Sequence, residues 1–167
     1  MVGPKYSYLG KKADARMQLL CKVARFGAPM EDLKIIYVLF VRSILEQSAV
    51  VWHSSLTEDN RSDLEKVQKS AIRVMLQDNY IGYKNGLAQL GLDDLDSRRK
   101  NLCLDFAKKC AKSEKMCHMF PKNTKNHNMD TQNNEVYMVQ HANTGRLQNS
   151  SIIYMQKLLN SEERKKT

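Results

Sequence analysis

Two adjacent aspartates, Asp93 and Asp94, are the residues whose type and spacing come closest to metal-dependent phosphate chemistry. Polymerases and nucleases use such carboxylates to hold Mg²⁺ beside a phosphate group. No strand–turn–strand pattern flanks these aspartates, and a basic helical pattern follows them directly. We therefore expect one of them to cap the N-terminus of that helix, and the sequence predicts no catalytic residue in this chain.

Three cysteines, Cys103, Cys110 and Cys117, are spaced by seven residues, and His118 follows the last of them. Ligand pairs in structural zinc sites usually lie two to four residues apart, whereas a spacing of seven separates the thiols by about two helical turns. Small buried side chains on a core-facing stripe explain the cysteines better. Because the sequence also lacks phosphate-binding glycine loops and a convincing nucleophile–base pair, it predicts no metal, cofactor or small-molecule ligand.

Positive charge is the main remaining signal. The 167-residue chain has 27 Lys and Arg against 18 Asp and Glu, a net charge of +9. Such an excess favours a polyanionic partner, with nucleic acid ahead of an anionic membrane surface. The longest uninterrupted apolar run, 35–41, is far shorter than the roughly 20 residues that cross a bilayer, and the N-terminus has no signal-peptide pattern. We expect an intracellular protein of the nucleus or cytoplasm, with reduced cysteines and no membrane partner.

Apolar residues recur at helical spacing as far as residue 120. The pattern predicts helices over about 11–26, 29–48, 57–77, 83–90 and 94–116. Gly27 and Gly91 are expected to end the first and fourth of these helices. The second helix is apolar almost all round and is expected in the middle of a bundle. A buried strand over 35–41 is the rival interpretation, but the pattern continues past Arg42 without a break, which favours the helix.

The fold class that these patterns predict is all-α: a helical bundle of four to five helices with a long polar loop or disordered segment and a short C-terminal helix. Residues 1–10 are expected to form an N-terminal arm and 11–120 the bundle. In 121–149, Asn, Thr, Gln and His dominate and the helical period is lost, which is typical of a loop or a disordered segment. Apolar residues return in 150–167, which predicts a short helix and a fraying tail.

Lysine and arginine concentrate in two stretches of the sequence. The stretch from Arg98 to Lys125 contains nine lysines and arginines and two acidic residues. The stretch from Lys5 to Arg25 contains six lysines and arginines and one acidic residue. Lysine-rich, aromatic-poor helix faces favour contact with the phosphate backbone without base readout, although a merely solvated face is the alternative. The candidate nucleic-acid-binding residues are Lys11, Lys22, Arg25, Lys66, Lys69, Arg73, Arg98, Lys100, Lys108, Lys112 and Lys115.

Four segments of the sequence carry a resemblance to a known protein family. They are LFVRSILEQSAVVWHSSLT at 39–57, LEKVQKSAIR at 64–73, RRKNLCLDFAKKC at 98–110 and SSIIYMQKLLN at 150–160. Together, and in this order, they resemble the C-terminal region of reverse transcriptases from jockey-like non-LTR retrotransposons. The resemblance covers most of residues 11–160. It implies a helical thumb with a C-terminal extension that grips the template–primer duplex, an RNA template with its DNA primer or product.

The part of that family that performs chemistry has no counterpart in this sequence. The aromatic-x-Asp-Asp motif of the polymerase palm, the fingers and any endonuclease domain are missing. The resemblance therefore implies a duplex-gripping region of an RNA-directed DNA polymerase that is inactive alone, with the catalytic part of a reverse transcriptase as a second partner. The alternative is a helical protein–protein interaction module that docks on the polymerase or on another partner, suggested by the apolar second helix and the patch at 152–159.

Overall fold

The computed structural model describes the backbone of residues 4–123 and 136–165 and the side chains of 12–123 and 136–165. Within these ranges helices form the regular structure, and the β pairing is one antiparallel bridge between Lys122 and Tyr137. The all-α prediction is confirmed. The chain divides into two compact units, which are Met1–Ala49 with Leu56–Arg99, and Val50–Ser55 with Lys100–Thr167.

The helical elements follow one another along the chain with short connections. They are α1 (Pro4–Arg25), α2 (Met30–Ile36), a π-helical segment (Tyr37–Arg42), α3 (Ser43–Glu46), α4 (Ala49–Trp52), a 3₁₀ turn (His53–Ser55), α5 (Glu58–Leu76), a 3₁₀ turn (Gln77–Asn79), α6 (Tyr83–Leu90), α7 (Leu95–Lys112), a 3₁₀ turn (Cys117–Met119), α8 (Gly145–Gln148) and α9 (Ser151–Glu163).

Helix α1 begins at Pro4, earlier than the predicted start near residue 11, so most of the expected arm 1–10 is helical. Proline suits the first turn of a helix because its missing N–H has no partner there in any case. One face of the helix is apolar and faces the core, since Ala13 and Leu20 are fully buried. Gly27 follows the helix with φ of +79°, a conformation that glycine adopts without strain.

The helical interpretation of 29–48 is confirmed and the strand interpretation of 35–41 is wrong. The buried residues of this run lie four apart, at Leu33, Tyr37, Val41 and Leu45. In a regular α-helix each step of four advances about 40° past a full turn. The wider turns of the π-helical segment reduce this drift and keep the row facing the core. The expectation that this helix lies in the middle of a bundle is wrong, because several of its other apolar side chains are exposed.

Local capping signals set the ends of the next helices. Thr57 Oγ1 accepts from Asn60 N at 3.3 Å at the start of α5. Gly91 ends α6 in the left-handed conformation with φ of 59°. Asp94 Oδ1 accepts from Ser97 N at 2.8 Å at the start of α7. The caps predicted at Gly91 and at Asp93 or Asp94 are therefore confirmed.

Helix α7 ends at Lys112, one turn before the predicted end near Met116. Ser113 O accepts from both Met116 N at 3.1 Å and Cys117 N at 2.8 Å. These turn hydrogen bonds replace the helical pattern, so Lys115 lies beyond the helix rather than on its surface.

A buried polar network joins three elements of the first unit. Tyr37 Oη donates to Gln68 Oε1 at 2.6 Å, and Gln68 Nε2 donates to Asp93 O at 2.9 Å and to Tyr83 Oη at 3.1 Å. The Tyr83 hydroxyl in turn donates to Glu65. Both the oxygen and the nitrogen of the fully buried Gln68 amide thus have hydrogen-bond partners. A polar group that is paired in this way can be buried without a large cost in free energy.

The core of the second unit lies between α7 and α9. Its buried residues are Cys103, Ala107, Cys110, Phe120, Met155, Leu158 and Leu159. Cys103 and Cys110 are therefore core residues, as predicted, whereas Cys117 is exposed. Ser150 Oγ accepts from Ile153 N at 3.5 Å and caps α9, the helix expected in 150–167.

Two buried amide side chains of α9 form hydrogen bonds with the main chain of the segment 137–140, an arrangement that the sequence did not predict. Asn160 Oδ1 accepts from Tyr137 N at 2.8 Å, and Asn160 Nδ2 donates to Tyr137 O at 2.9 Å. Gln156, one turn earlier, accepts from Gln140 N at 3.3 Å and donates to Met119 O at 2.8 Å. The predicted polar stretch 121–149 therefore contains a fixed segment and the single turn α8, while 124–135 lies outside the described residues.

Candidate nucleic-acid interface

The eleven candidate residues fall in both compact units. The first unit holds Lys22, Arg25, Lys66, Lys69, Arg73 and Arg98, and the second holds Lys100, Lys108, Lys112 and Lys115. The side chain of Lys11 lies outside the described residues. The two groups have different electrostatic surroundings.

Charge in the first unit is nearly balanced. Its described side chains include thirteen Lys and Arg against twelve Asp and Glu. On α5, Lys66 Nζ donates to Asp63 Oδ1 at 2.8 Å, and this hydrogen bond raises the pKa of Lys66. Lys69 Nζ lies 5.2 Å from the centroid of the Tyr83 ring. A face with interleaved acids and satisfied cations has little excess field to attract a polyanion.

The remaining first-unit candidates have mixed roles. Arg73 lies over the Tyr80 ring at 5.3 Å, while Lys22 and Arg25 are exposed in the last turns of α1, where cations favour the helix dipole. Arg98 Nε donates to Glu46, whose Oε1 also lies 3.8 Å from Arg42 Nε. Arg98 therefore serves to hold the start of α7 to α3.

The second unit carries most of the net positive charge of the described residues. Its described side chains include ten Lys and Arg against four Asp and Glu. Among the described residues, Lys108 alone of the α7 lysines has an ion pair, in which its Nζ donates to Glu162 Oε1 at 2.6 Å. Lys100, Lys109 and Lys112 are exposed and form no ion pair with a described residue.

The lysines around the C-terminal end of α7 form one local group. We define the α7 lysine surface as Lys108, Lys109, Lys112 and Lys115. Lys108 and Lys112 lie four residues apart and therefore on one side of the helix. Ala107 and Cys110 turn inward to the core on the other side. The acidic residues beside this surface are Asp105, Glu114 and Glu162 of α9, which pairs with Lys108, so four lysines are accompanied by three carboxylates.

The described residues hold no group of three or more His, Cys, Asp or Glu side chains that could bind a metal ion. Asp94 is used in capping α7, as expected from its position. The stripe that carries Cys103 and Cys110 is packed against α9 and Phe120, and burial raises the pKa of the Cys110 thiol. This environment stabilises the neutral thiol, the opposite of what metal binding or nucleophilic attack requires.

Arg99 is a buried residue that sequence reasoning missed. Its side chain is fully enclosed, with Nη2 3.7 Å from Asp96 Oδ1, and the same oxygen accepts from Arg61 Nη1 at 2.6 Å. Burial lowers the pKa of Arg99, while the Asp96 carboxylate opposes that shift. The spacing of Leu95, Arg99 and Cys103 on the inward stripe of α7 was the signal that could have identified it.

By length and composition the segment Met30–Ser55 could cross a membrane. Its longest uninterrupted apolar run, 35–41, is nevertheless shorter than the roughly 20 residues that cross a bilayer. Just over a quarter of its most apolar window, 28%, is buried within the protein. Leu33, Tyr37 and Val41 are fully buried members of this segment. Both the core helix of a soluble protein and a signal sequence pass the same test of length and composition.

Comparisons with known proteins found no family model, no curated protein and no solved structure that matches this chain.

Proposed function

We propose that this chain is a non-catalytic nucleic-acid-binding domain, and that the α7 lysine surface contacts the phosphate backbone. The observation that carries this proposal is the uneven charge. In the described residues, ten cations face four carboxylates in the second unit, whereas the first unit is nearly neutral. Lysines on flexible stems suit phosphate contacts that need no base readout.

The structure beneath these lysines supports such a contact. The core formed by α7 and α9 gives the lysines a fixed base, and the Lys108–Glu162 ion pair adds a polar tie between the same helices. Like charges on neighbouring positions of one helix face, such as Lys109 and Lys112, repel each other by a few tenths of a kcal/mol. A bound phosphate would neutralise this repulsion, so part of the binding free energy comes from relieving it.

The finer proposal is that the bound polymer is an RNA template with its DNA primer or product. It rests on the resemblance to the C-terminal region of jockey-like reverse transcriptases. One resembling segment, 98–110, falls on α7, and another, 64–73, falls on α5. A thumb-like role needs helices and a basic surface, and both features are present. In this proposal the catalytic part of the polymerase belongs to a different stretch of polypeptide.

The proposal is tested by measuring the affinity of the full chain for an RNA–DNA hybrid by fluorescence anisotropy. The key variant changes Lys109, Lys112 and Lys115 to Gln, which leaves the Lys108–Glu162 pair intact. A matched control changes Lys66, Lys69 and Arg73 of α5 to Gln. We expect the α7 triple variant to lose about tenfold or more in affinity at low salt, and the α5 variant to lose much less. No binding, or equal losses in both variants, would contradict the proposal.

The resemblance itself is tested by the genomic reading frame upstream of Met1. An in-frame aromatic-x-Asp-Asp motif within a polymerase-like sequence would support the assignment to a reverse transcriptase. An upstream frame without such a sequence would remove the RNA-template part of the proposal and leave the general claim of backbone binding to be decided by the affinity measurement.

A further inference from the structure

The first unit exposes a cluster of large apolar side chains on the helical run 30–46. Ile35 is 54% exposed, Leu39 61% and Phe40 44%. They are exposed because the row at Leu33 and Tyr37 faces the core, and the π-helical segment keeps that row inward while these neighbours turn outward. Clustered exposed apolar side chains of this size mark interaction surfaces more often than single ones do.

A groove on the side of α1 lies next to Phe40 of this cluster, because Arg16 of its lining is placed over the Phe40 ring. It has a volume of about 400 Å³, and its lining consists of Lys12, Ala15, Arg16, Leu19 and Ile44. The α1 residues among these have the spacing of one helix face, three and four residues apart. Leu19 is 40% exposed, so the apolar surface continues from the 30–46 run onto α1.

Two cations, Lys12 and Arg16, lie along the α1 side of the groove. Arg16 is placed over the Phe40 ring, with its guanidinium carbon 5.8 Å from the ring centroid. The groove therefore combines an apolar floor with a basic edge.

We propose that this groove and the adjoining Ile35–Leu39–Phe40 face bind an amphipathic, acidic helix of a partner protein. The apolar side of that helix covers the exposed side chains, and its carboxylates meet Arg16. A groove between two helices fits an added helix, a common mode of peptide recognition. Nucleic acid fits this surface less well, because Ile35, Leu39 and Leu19 are aliphatic and Arg16 lies over the exposed Phe40 ring, where a base would otherwise stack.

The test uses two synthetic helical peptides and the full-length chain. Both peptides carry leucines at helical spacing on one side, and they differ only in having glutamates or lysines along the flanks. Affinities are measured by fluorescence anisotropy. We expect the glutamate peptide to bind at micromolar concentrations and the lysine peptide to bind at least about tenfold more weakly, because the basic edge discriminates by charge.

Three variants assign the contact. Leu39→Lys should abolish binding of the glutamate peptide, and Arg16→Glu should reverse the preference between the two peptides. Phe26→Lys is the matched control, since Phe26 is 90% exposed but lies outside this groove. Circular dichroism of each variant establishes that the helices are retained.

Four outcomes would overturn the proposal. These are no binding of the glutamate peptide, equal binding of both peptides, an effect of Phe26→Lys equal to that of Leu39→Lys, and an unchanged preference in Arg16→Glu. Self-association that Leu39→Lys abolishes, with no peptide binding, would assign the face to a second copy of this chain. Binding to neutral lipid vesicles with no peptide binding would assign it to a membrane.

Discussion

Lys108 Nζ donates to Glu162 Oε1 at 2.6 Å and so links α7 to α9 across the edge of the second unit's core. Lys108 therefore differs from the neighbouring lysines in having an ion-pair partner. Lys109, Lys112 and Lys115 have no ion-pair partner among the described residues, so their charge is available to an external anion. Stability and nucleic-acid binding are thus expected to depend on different members of the same lysine group.

The Lys108–Glu162 pair gives the first prediction. Both side chains are partly exposed, at 39% and 26%, so solvent screens the attraction. Lys108→Ala should lower the free energy of unfolding by about 0.5–1 kcal/mol, whereas Lys109→Ala should change it by less than about 0.5 kcal/mol. Urea denaturation followed by circular dichroism measures both values. Equal values for the two variants would show that the ion pair adds no stability.

The contact of α6 with α5 gives the second prediction. A Cβ atom at Gly86 would lie 2.4 Å from Ile72 Cγ2 and 3.1 Å from Leu76 Cδ1. Isoleucine is stiff about χ1, so its methyl group cannot move aside easily. Gly86→Ala should therefore destabilise the fold by about 1–3 kcal/mol. Gly82→Ala is the control, because nothing lies within 4 Å of its Cβ position, and a similar loss there would argue against the packing explanation.

The buried hydroxyl of Tyr37 gives the third prediction. Tyr37→Phe removes the donor to Gln68 Oε1 and leaves a buried acceptor without that bond. The expected loss is about 1–2 kcal/mol in the free energy of unfolding, measured by urea denaturation at neutral pH. Ser43→Ala is a suitable control, because Ser43 Oγ donates to Leu39 O at 2.6 Å at an exposed position. A loss no larger than that of the control would contradict the importance of the network.

Alkaline pH provides a second readout of Tyr37. Burial raises the pKa of Tyr37, with the neighbouring Arg42 opposing that shift. The folded state therefore retains its proton above about pH 10, where an unfolded tyrosine loses it. Stability should fall as pH rises through this range, by up to about 1.4 kcal/mol per pH unit for each retained proton. Tyr37→Phe should reduce this slope, and an unchanged slope in the variant would show that Tyr37 does not cause it.

The cysteines give the fourth prediction, which concerns the core of the second unit. Cys117 is exposed, whereas Cys103 and Cys110 are buried, and burial raises the pKa of the Cys110 thiol. Because the thiolate is the reactive form, iodoacetamide should modify Cys117 first and spare the two buried thiols until urea unfolds the chain. Mass spectrometry after a short pulse identifies the sites. Modification of Cys110 at the rate of Cys117 would contradict the packing of α7 against α9.

The sequence allowed prediction of those features that depend on neighbours within one helical turn. Gly91 ends α6 because only a residue that tolerates positive φ fits there, and Asp94 caps α7 because its side chain reaches the N–H of Ser97. The all-α class followed from the same local periodicity. The early end of α7 was missed because the turn bonds to Ser113 O compete with the helix and leave no clear signal in residue type.

The missed features depend on contacts between residues far apart in sequence. Lys108 and Glu162 are 54 positions apart, and Arg98 and Glu46 are 52 apart, so no local pattern could separate the paired cations from the unpaired ones. The hydrogen bonds between Asn160 and Tyr137, 23 positions apart, arise in the same way. The candidate lysines could be identified by residue type. The tertiary structure was needed to show which of them form ion pairs within the fold and which remain available at the surface.

The salt dependence of binding tests the central claim most directly. Affinity for an RNA–DNA hybrid is measured between about 50 and 200 mM salt, where each neutralised phosphate contributes roughly −0.9 to the slope of log K against log salt. We predict a slope of about −3 or steeper for the natural chain, and a slope shallower by about one for each lysine removed at positions 109, 112 and 115. Binding that does not respond to salt, or the same slope in the triple variant, would contradict the account.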